Sequence, residues 1–232
     1  MHFEHSPQLW RDFPRLVPGV LHAKGITAEA AVEGAVERLS ARAAARNAHG
    51  GGQESTLPQI QAWRRAFATL GLKPTQYRCA AESLLRRFRK EGSLPGIHPL
   101  IDLCNAASLA FAIPVGVFDL ARITGDLRVR HAEGDEVYET FSGSVEHPEP
   151  GEVIFADDAG RAHARRWTNR QSGHSAVRDE TAEILIIAEG LHEKAPGEVA
   201  ELMDVLADAL RAHWAVVPRS AVLTRSAPRF EL

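Results

Sequence analysis

The segment GIHPLIDLCNAASLAFAIPVGVFDLARITGDLRVR, which runs from Gly96 to Arg130, carries most of the information in this 232-residue chain. Its pattern predicts a short loop, a helix with a polar stripe, a break at Pro114–Gly116, a second helical turn and a strand. Pro99 suits the first position of the helix, because its missing N–H would have no partner there anyway. The segment therefore joins a candidate core helix to the residues of greatest chemical interest.

The helix after His98 has two kinds of face. Asp102, Asn105 and Ser108 share one face, with the His98 imidazole one turn earlier. Asparagine is a poor helix former, and the helix is apolar around most of its circumference, which predicts a sandwiched helix whose polar stripe lines a cavity. A polar face that simply meets solvent is the alternative. The predicted core stripe consists of Leu100, Leu103, Cys104, Ala107 and Phe111.

Apolar periodicity on either side predicts helices first and strands afterwards. A strand is expected at Leu16–Ile26, then helices at 28–48, 57–70 and 76–90, with Thr27 and Thr75 as caps. Strands are expected at about 126–131, 152–156, 162–167 and 183–188, and a last helix at Pro196–Trp214. The segregation of helices and strands predicts the α+β class, and we expect one domain over residues 1–232, with a mobile loop near Gly50–Gly52 as its weakest point.

Composition limits the classes of partner. The formal net charge of −3 argues against a broad basic surface for nucleic acid, DNA included, although small arginine clusters suffice for a transient contact with one end of a tRNA. Two cysteines in no paired motif predict free thiols in a reducing cytoplasm and no structural metal. No apolar run reaches the roughly 18–20 residues of a membrane span.

Several motifs occur in the order found in one known family. Asp102-Leu103-Cys104-Asn105 resembles an Asp-x-Thr-Asn pattern, and Pro114–Asp119 resembles Pro-Leu-His-Ala-Phe-Asp. Gly125–Arg130 and Val153–Gly160 resemble a strand and a strand-turn of the same family. The chain thus resembles the B3/B4 domain of the bacterial phenylalanyl-tRNA synthetase β subunit, in its free-standing form, with the best match over about residues 94–191.

The resemblance implies a layered α+β domain with a β-sandwich-like sheet core flanked by helices. It also implies an activity, because that domain removes wrongly attached amino acids from tRNA. We therefore expect a trans-editing hydrolase that deacylates mischarged aminoacyl-tRNA with an oriented water and no cofactor. His98, Asp102 and Asn105 are the predicted catalytic residues.

Further residues are expected to bind or support the substrate. Arg78 and Glu82 would support the site from behind. Trp167 would stack on the terminal adenine, with a purely structural position as the alternative. The predicted substrate-binding set is Ser108, Gly116, Arg166, Trp167, Asn169, Arg170 and Gln171.

Two departures from the family pattern affect specificity. Gly116 stands where the synthetase domain has an editing-site histidine, and Arg165–Gln171 replaces a Gly-Gly loop. The tyrosine-like substrate of the synthetase is therefore not carried over. A non-catalytic module that binds a free amino acid, a modified nucleoside or a partner protein remains the rival hypothesis.

Overall fold

The computed structural model describes residues 1–49 and 53–232. The expected loop at Gly50–Gly52 lies outside these residues. The helices are α1 (Pro7–Asp12), α2 (Glu33–His49), α3 (Pro58–Thr69), α4 (Ala80–Glu91), α5 (Pro99–Phe111) and α6 (Ala195–Trp214). The longer strands are β1 (His2–His5), β2 (Val17–Lys24), β3 (Val115–Asp119), β4 (Leu127–His131), β7 (Val153–Ala156), β8 (Ala162–Arg165), β10 (Glu183–Gly190), β11 (Arg219–Val222) and β12 (Arg229–Glu231), and the two-residue strands are β5 (Tyr138–Glu139), β6 (Val145–Glu146) and β9 (Arg170–Gln171).

The strands form two main sheets. One sheet has the order β12-β1-β4-β7-β8-β9, the other has the order β11-β2-β10-β3, and β5 pairs with β6 separately. In the second sheet β10 is central, antiparallel to both β2 and β3. The chain termini meet in the first sheet, where β1 lies between β12 and β4.

Alternate residues of β10 enter different cores, as the two-residue period of a strand requires. Leu185 and Ile187 point to the core between the sheets, which also holds Phe118 and Phe155. Ile184 and Ile186 point to the other side, where α2, α5 and α6 pack. The result is the predicted layered α+β architecture with a sheet sandwich flanked by helices.

Two predicted helix starts are wrong. Helix α2 begins at Glu33, so Thr27 caps nothing, and α4 begins at Ala80 after an N-cap at Cys79. The backbone N–H of Ala80 donates to the carbonyl of Thr168 at 2.7 Å. The start of α4 is therefore fixed by a contact distant in sequence, which local periodicity does not contain.

The segment after the Pro114–Gly116 break is also corrected. Residues Val115–Asp119 form strand β3 directly, and only Leu120–Arg122 form a helical turn, of the tight 3₁₀ type. Val117 and Phe118 point to opposite cores, so β3 is apolar on both faces. A short apolar run of this kind does not by itself distinguish a buried strand from a helix.

The helices described here differ from membrane spans in length or in polarity. In residues 1–49 and 53–232, no helix combines the length and the apolar character needed to cross a bilayer.

Candidate functional site

A small pocket lies between the two sheets, at the end where β3, β9 and β10 approach one another. It has a volume of about 70 Å³. We call it the intersheet pocket, and its wall includes Gly116 and the polar residues Trp167, Thr168, Asn169, Arg170, Gln171 and Glu189. Five of the seven predicted substrate-binding residues thus meet in one place, and the other two, Ser108 and Arg166, do not line this pocket.

The corner after β8 has an unusual backbone. Arg166 and Trp167 have φ values of 47° and 59°, which lie in the left-handed region. That region costs residues with a Cβ roughly 1–2 kcal/mol each. The corner also ends β8 two residues earlier than predicted, and it turns Trp167 into the core. Backbone strain of this kind is often found at functional sites.

Trp167 is fully buried and does not offer a free face to a nucleotide. Its ring makes edge contacts with Phe13 and Trp63, at centroid distances of 4.8 and 5.0 Å. Its indole N–H donates to Glu189 Oε1 at 2.8 Å. Trp167 therefore has the purely structural position in this structure, rather than the position predicted for stacking on the terminal adenine.

Glu189 is the main residue that the sequence analysis missed. It is 2% exposed, and its Oε1 lies 2.6 Å from His5 Nε2 as well as accepting from Trp167. The signal available in the sequence was a carboxylate directly after the apolar run Ile184–Ala188, because buried charges need partners. Its partner His5 is 184 positions away.

The two amides of the pocket are held by backbone carbonyls. Asn169 donates through Nδ2 to the carbonyl of Arg78 at 2.7 Å, and Gln171 donates through Nε2 to the carbonyl of Val117 at 2.5 Å. The second contact joins one sheet to the other. The side-chain oxygens of both amides carry no hydrogen bond to another described residue, so they are available as acceptors.

Arg170 lies at the pocket wall, whereas the two arginines at positions 165 and 166 do not line the pocket. Arg170 is exposed, pairs with Glu146 at 2.9 Å and lies over the Tyr138 ring at 5.2 Å. Arg166 points elsewhere, over the Tyr77 ring at 4.7 Å. Arg165, in contrast, is buried against Glu146 and Glu152.

Two of the three predicted catalytic residues lie in a different cavity. A groove of about 630 Å³ between α2, α5 and the segment before α5 is lined by Asp102 and Asn105. We call it the helix groove. It shares no lining residue with the intersheet pocket. The structure therefore does not bring the predicted catalytic residues together with Gly116 and Gln171.

His98 caps its helix instead of pairing with Asp102. Its Nδ1 accepts the backbone N–H of Leu100 at 3.2 Å, while Asp102 Oδ1 accepts the N–H of Ile97 at 2.9 Å. Burial lowers the pKa of His98, against the opposing charges of Asp179 and Asp102. A neutral imidazole that accepts at Nδ1 has its proton on Nε2, which has no partner among the described residues.

Two other residues of this helix face the interior. Ser108 is fully buried and donates its hydroxyl to the carbonyl of Ile113 at 2.7 Å, and it lines neither cavity. Cys104 is buried on the apolar stripe, as predicted, and burial raises the pKa of its thiol. These contacts close the C-terminal end of α5 and hold it in the core.

The predicted supporting pair forms a larger network. Glu82 is fully buried and accepts two hydrogen bonds from Arg64, at 3.0 and 2.6 Å. Arg78 Nε and Arg86 Nη1 lie 3.6 and 4.0 Å from Glu82 Oε1. Because the carbonyl of Arg78 holds Asn169, this network connects to the pocket wall.

Metal-binding groups are absent from the part of the chain that the structure describes. No group of three or more His, Cys, Asp or Glu residues there has a geometry suited to a metal ion.

Comparison with known proteins gives one family. The B3/4 domain family model matches residues 62–204. The phenylalanine–tRNA ligase β subunit of Cereibacter sphaeroides is 38% identical over 76 residues, which is 33% of this chain and 9% of that protein. The Shewanella oneidensis β subunit is 34% identical over 101 residues, 43% of this chain and 12% of that protein. The chain thus spans about a tenth of the length of these relatives.

A solved structure of a synthetase subunit shares the fold. An N-terminal fragment of the phenylalanyl-tRNA synthetase β subunit from Pyrococcus horikoshii aligns with a TM-score of 0.50 and 11% identity. The alignment covers 94% of this chain and 50% of that chain. At this identity the likeness concerns the fold alone. The family match covers more than half of the chain. The chain belongs to the B3/4 domain family.

Proposed function

We propose that this protein hydrolyses a mischarged aminoacyl-tRNA in trans, with the aminoacyl group in the intersheet pocket. One observation carries the proposal: a pocket with buried polar residues lies between the sheets, and all of its wall falls within the segment matched by the family. The relatives named above are tRNA ligase subunits. The helix groove lacks this concentration of buried polar contacts.

The pocket volume favours a small amino acid as the substrate. One water needs roughly 10–15 Å³ of such space, so about 70 Å³ holds only a few heavy atoms. Phe118, Phe155 and Trp167 fill the remaining space between the sheets. A tyrosine-sized side chain needs these rings to move, whereas the side chain of alanine or serine does not.

Glu189 is the best-placed group to bind the substrate amine or to orient water. Two donors fix its Oε1, which leaves Oε2 as an acceptor with no side-chain partner among the described residues. The Asn169 and Gln171 oxygens supply further acceptors. An ester already activated by its linkage to tRNA needs only a positioned water, and no covalent nucleophile.

The tRNA contact is proposed to be transient and confined to its 3′ end. Arg170, exposed at the pocket mouth, is placed to meet a phosphate if it releases Glu146. The net charge of −3 agrees with a small contact of this kind. We place the protein in the cytoplasm, where charged tRNA occurs, with no membrane or DNA partner and no cofactor.

A panel of correctly and incorrectly charged tRNAs tests the proposal. We expect release of one small amino acid. The deacylation rate should fall at least about 100-fold for Glu189→Gln and change little for His98→Ala. Gly116→Ala narrows the pocket, because the added Cβ would lie 3.2 Å from the Phe118 ring. Gly197→Ala serves as the control, because its added Cβ meets nothing within 4 Å.

The reverse pattern of effects in Glu189→Gln and His98→Ala would change the assignment of the catalytic residues. If His98→Ala abolishes deacylation and Glu189→Gln does not, the predicted set of His98, Asp102 and Asn105 holds and the pocket assignment is wrong. If no charged tRNA is deacylated by the folded protein, the hydrolase proposal fails.

A binding module is the second candidate, and a specific observation favours it. The side-chain N–H donors at the pocket, those of Trp167, Asn169 and Gln171, already donate to protein acceptors. The Trp167 donor is already used, so among these three side chains only the second N–H of each amide remains to stabilise an oxyanion. Saturable binding of a free amino acid, abolished by Glu189→Gln and without ester hydrolysis, would support this candidate.

A further inference from the structure

Strand β3 has one free edge, and this edge borders the intersheet pocket. Within the described residues, β3 is an edge strand that pairs with β10 on one side only. On its other side, Gln171 of β9 donates through Nε2 to the carbonyl of Val117 at 2.5 Å. Pro114, Val115 and Gly116, at the start of the strand, line the pocket. The edge of β3 that faces away from β10 is therefore the one that faces β9 and the pocket.

The N–H of Val115 points out of this free edge. In a trans peptide the C=O and the N–H point in opposite directions. The carbonyl of Pro114, in the same peptide, accepts the backbone N–H of Glu189 at 3.3 Å, so it points towards β10. The alternation of an antiparallel pair agrees, because the N–H of Asp119 also points outward and donates to the carbonyl of Ser175 at 3.0 Å. The N–H of Val115 thus points away from β10, and it has no acceptor among the described residues.

The main chain of Val115, rather than its side chain, faces the space between the sheets. The side chain packs against the core on the helix side of the sheet. The next residue, Gly116, leaves room beside the edge, since a Cβ there would lie 3.2 Å from the Phe118 ring. A strong backbone donor without a protein partner is thus available at the pocket wall.

We propose that the N–H of Val115 stabilises the oxyanion that forms when water attacks the ester carbonyl of an aminoacyl-tRNA, an inference that rests on the function proposed above. The water oxygen bonds to the carbonyl carbon, the electron pair of the C=O moves to its oxygen, and that oxygen accepts the N–H. Glu189 takes the proton from the water. The C=O then re-forms, the bond to the ribose oxygen breaks, and this oxygen takes the proton from Glu189. The products are the free amino acid and the uncharged tRNA.

The proposed donor and the proposed base are fixed to each other. The main chain of Glu189 donates to the same Pro114–Val115 peptide whose N–H is the donor. The Glu189 side chain lies on the intersheet side, where His5 and Trp167 fix its Oε1. A donor held in place before the reaction needs no reorganisation as charge develops, and this is the condition for strong oxyanion stabilisation.

Replacement of Val115 by α-hydroxyvaline, introduced into the full chain by nonsense suppression, tests this donor. The replacement exchanges the N–H for an oxygen and adds no atom to the pocket. We expect kcat for deacylation to fall at least about tenfold with little change in KM, because the hydrogen bond strengthens only in the transition state. An unchanged kcat would overturn the assignment.

Val222 is the matched control, on the other edge strand of the same sheet, β11. The N–H of Leu223 donates to the carbonyl of Pro18 on β2 at 2.8 Å, so by alternation the N–H of Val222 points out of the sheet. Val222 packs against the same helix-side core as Val115 and does not line the intersheet pocket. α-Hydroxyvaline at position 222 should leave kcat unchanged. An equal loss at both positions would contradict a role at the pocket.

Two ordinary variants give a second test at the same position. Val115→Pro removes the N–H, and proline is tolerated on an edge strand where that N–H makes no ladder bond. Val115→Ala shortens the side chain and keeps the N–H. We expect deacylation to fall at least about tenfold in Val115→Pro and to be largely retained in Val115→Ala, with folding checked by circular dichroism. Equal losses in the two variants would contradict a main-chain role.

The outcomes distinguish this inference from the proposed function. If the original protein deacylates a charged tRNA and Glu189→Gln does not, but the protein with α-hydroxyvaline at position 115 is fully active, the proposed function stands and the oxyanion assignment fails. If the original protein deacylates no charged tRNA, both fail.

Discussion

Trp167 donates its indole N–H to Glu189 at 2.8 Å, and this hydrogen bond ties the corner after β8 to the central strand of the opposite sheet. The same carboxylate meets His5 of β1. One buried acidic group thus connects the two sheets at the wall of the intersheet pocket. Its position is the basis for the proposed chemistry and for the first prediction.

Trp167→Phe should destabilise the protein by about 2–4 kcal/mol, because it removes a buried hydrogen bond to a charged group and leaves a small void. The free energy of unfolding in denaturant measures the effect. Trp214→Phe is the matched control, since its N–H donates to the carbonyl of Thr27 at the surface and its loss should be nearer 0.5–1.5 kcal/mol. Equal losses would refute the special role of Glu189 as an acceptor.

Arg166→Gly should be more stable than Arg166→Ala by about 1 kcal/mol, because glycine adopts a φ of 47° without a Cβ clash. Both variants lose the contact with Tyr77, so the comparison isolates the backbone. At Arg87, inside α4, the order should reverse, with alanine about 1 kcal/mol more stable than glycine. The same order at both positions would show that the corner is not strained.

Glu82→Gln should cost about 1.5–3 kcal/mol of stability, because the fully buried carboxylate accepts two charged hydrogen bonds from Arg64. Glu91→Gln breaks an exposed pair with Arg87 and should change stability by less than about 0.5 kcal/mol. Thermal or chemical unfolding gives both values. A small effect at Glu82 would mean that the network does not support the site.

Asp157 should contribute acid-sensitive stability. Burial opposes its charge, yet His163 and the N–H groups of Thr124 and Arg161 lower its pKa from 3.8 to about 2. Because the folded pKa is the lower one, the contribution is fully present above about pH 4 and is lost as the pH falls towards 2. A difference of this size is worth about 2 kcal/mol.

Stability measured against pH, for the original protein and for Asp157→Asn, checks this. The two curves should converge at the acid end and separate above about pH 4. The stability curve of Asp135→Asn, a change at an exposed position, should run parallel to that of the original protein. A constant gap between the Asp157→Asn curve and the original at every pH would argue against the titration.

We propose that residues 1–232 fold as one unit, because β1 lies between β12 and β4 in the same sheet. Tryptophan fluorescence and far-ultraviolet circular dichroism should then report one coincident unfolding transition. Two separated transitions would show independent parts.

Local apolar periodicity predicts several of the elements, namely the helices α3, α5 and α6 and the strands β2, β4, β7 and β10. Each buries a stripe or an alternate face that is continuous in sequence, so apolar periodicity predicts it to within a few residues. The hairpin of β7 and β8 follows from its Asp-Asp-Ala-Gly turn. The ordered motifs around Asp102 and Gly125 were sufficient to indicate the family, which the match over residues 62–204 confirms.

The sequence by itself determined the layered class and the family of this protein, because both depend on signals that repeat locally or occur in order. Only the tertiary structure decided which polar residues share a cavity. It separated Asp102 and Asn105 from Gly116 and Gln171, and it brought His5 to Glu189 across 184 positions. Contacts between residues so distant in sequence depend on how the two sheets pack face to face, and the spacing of residues along the chain does not encode that packing.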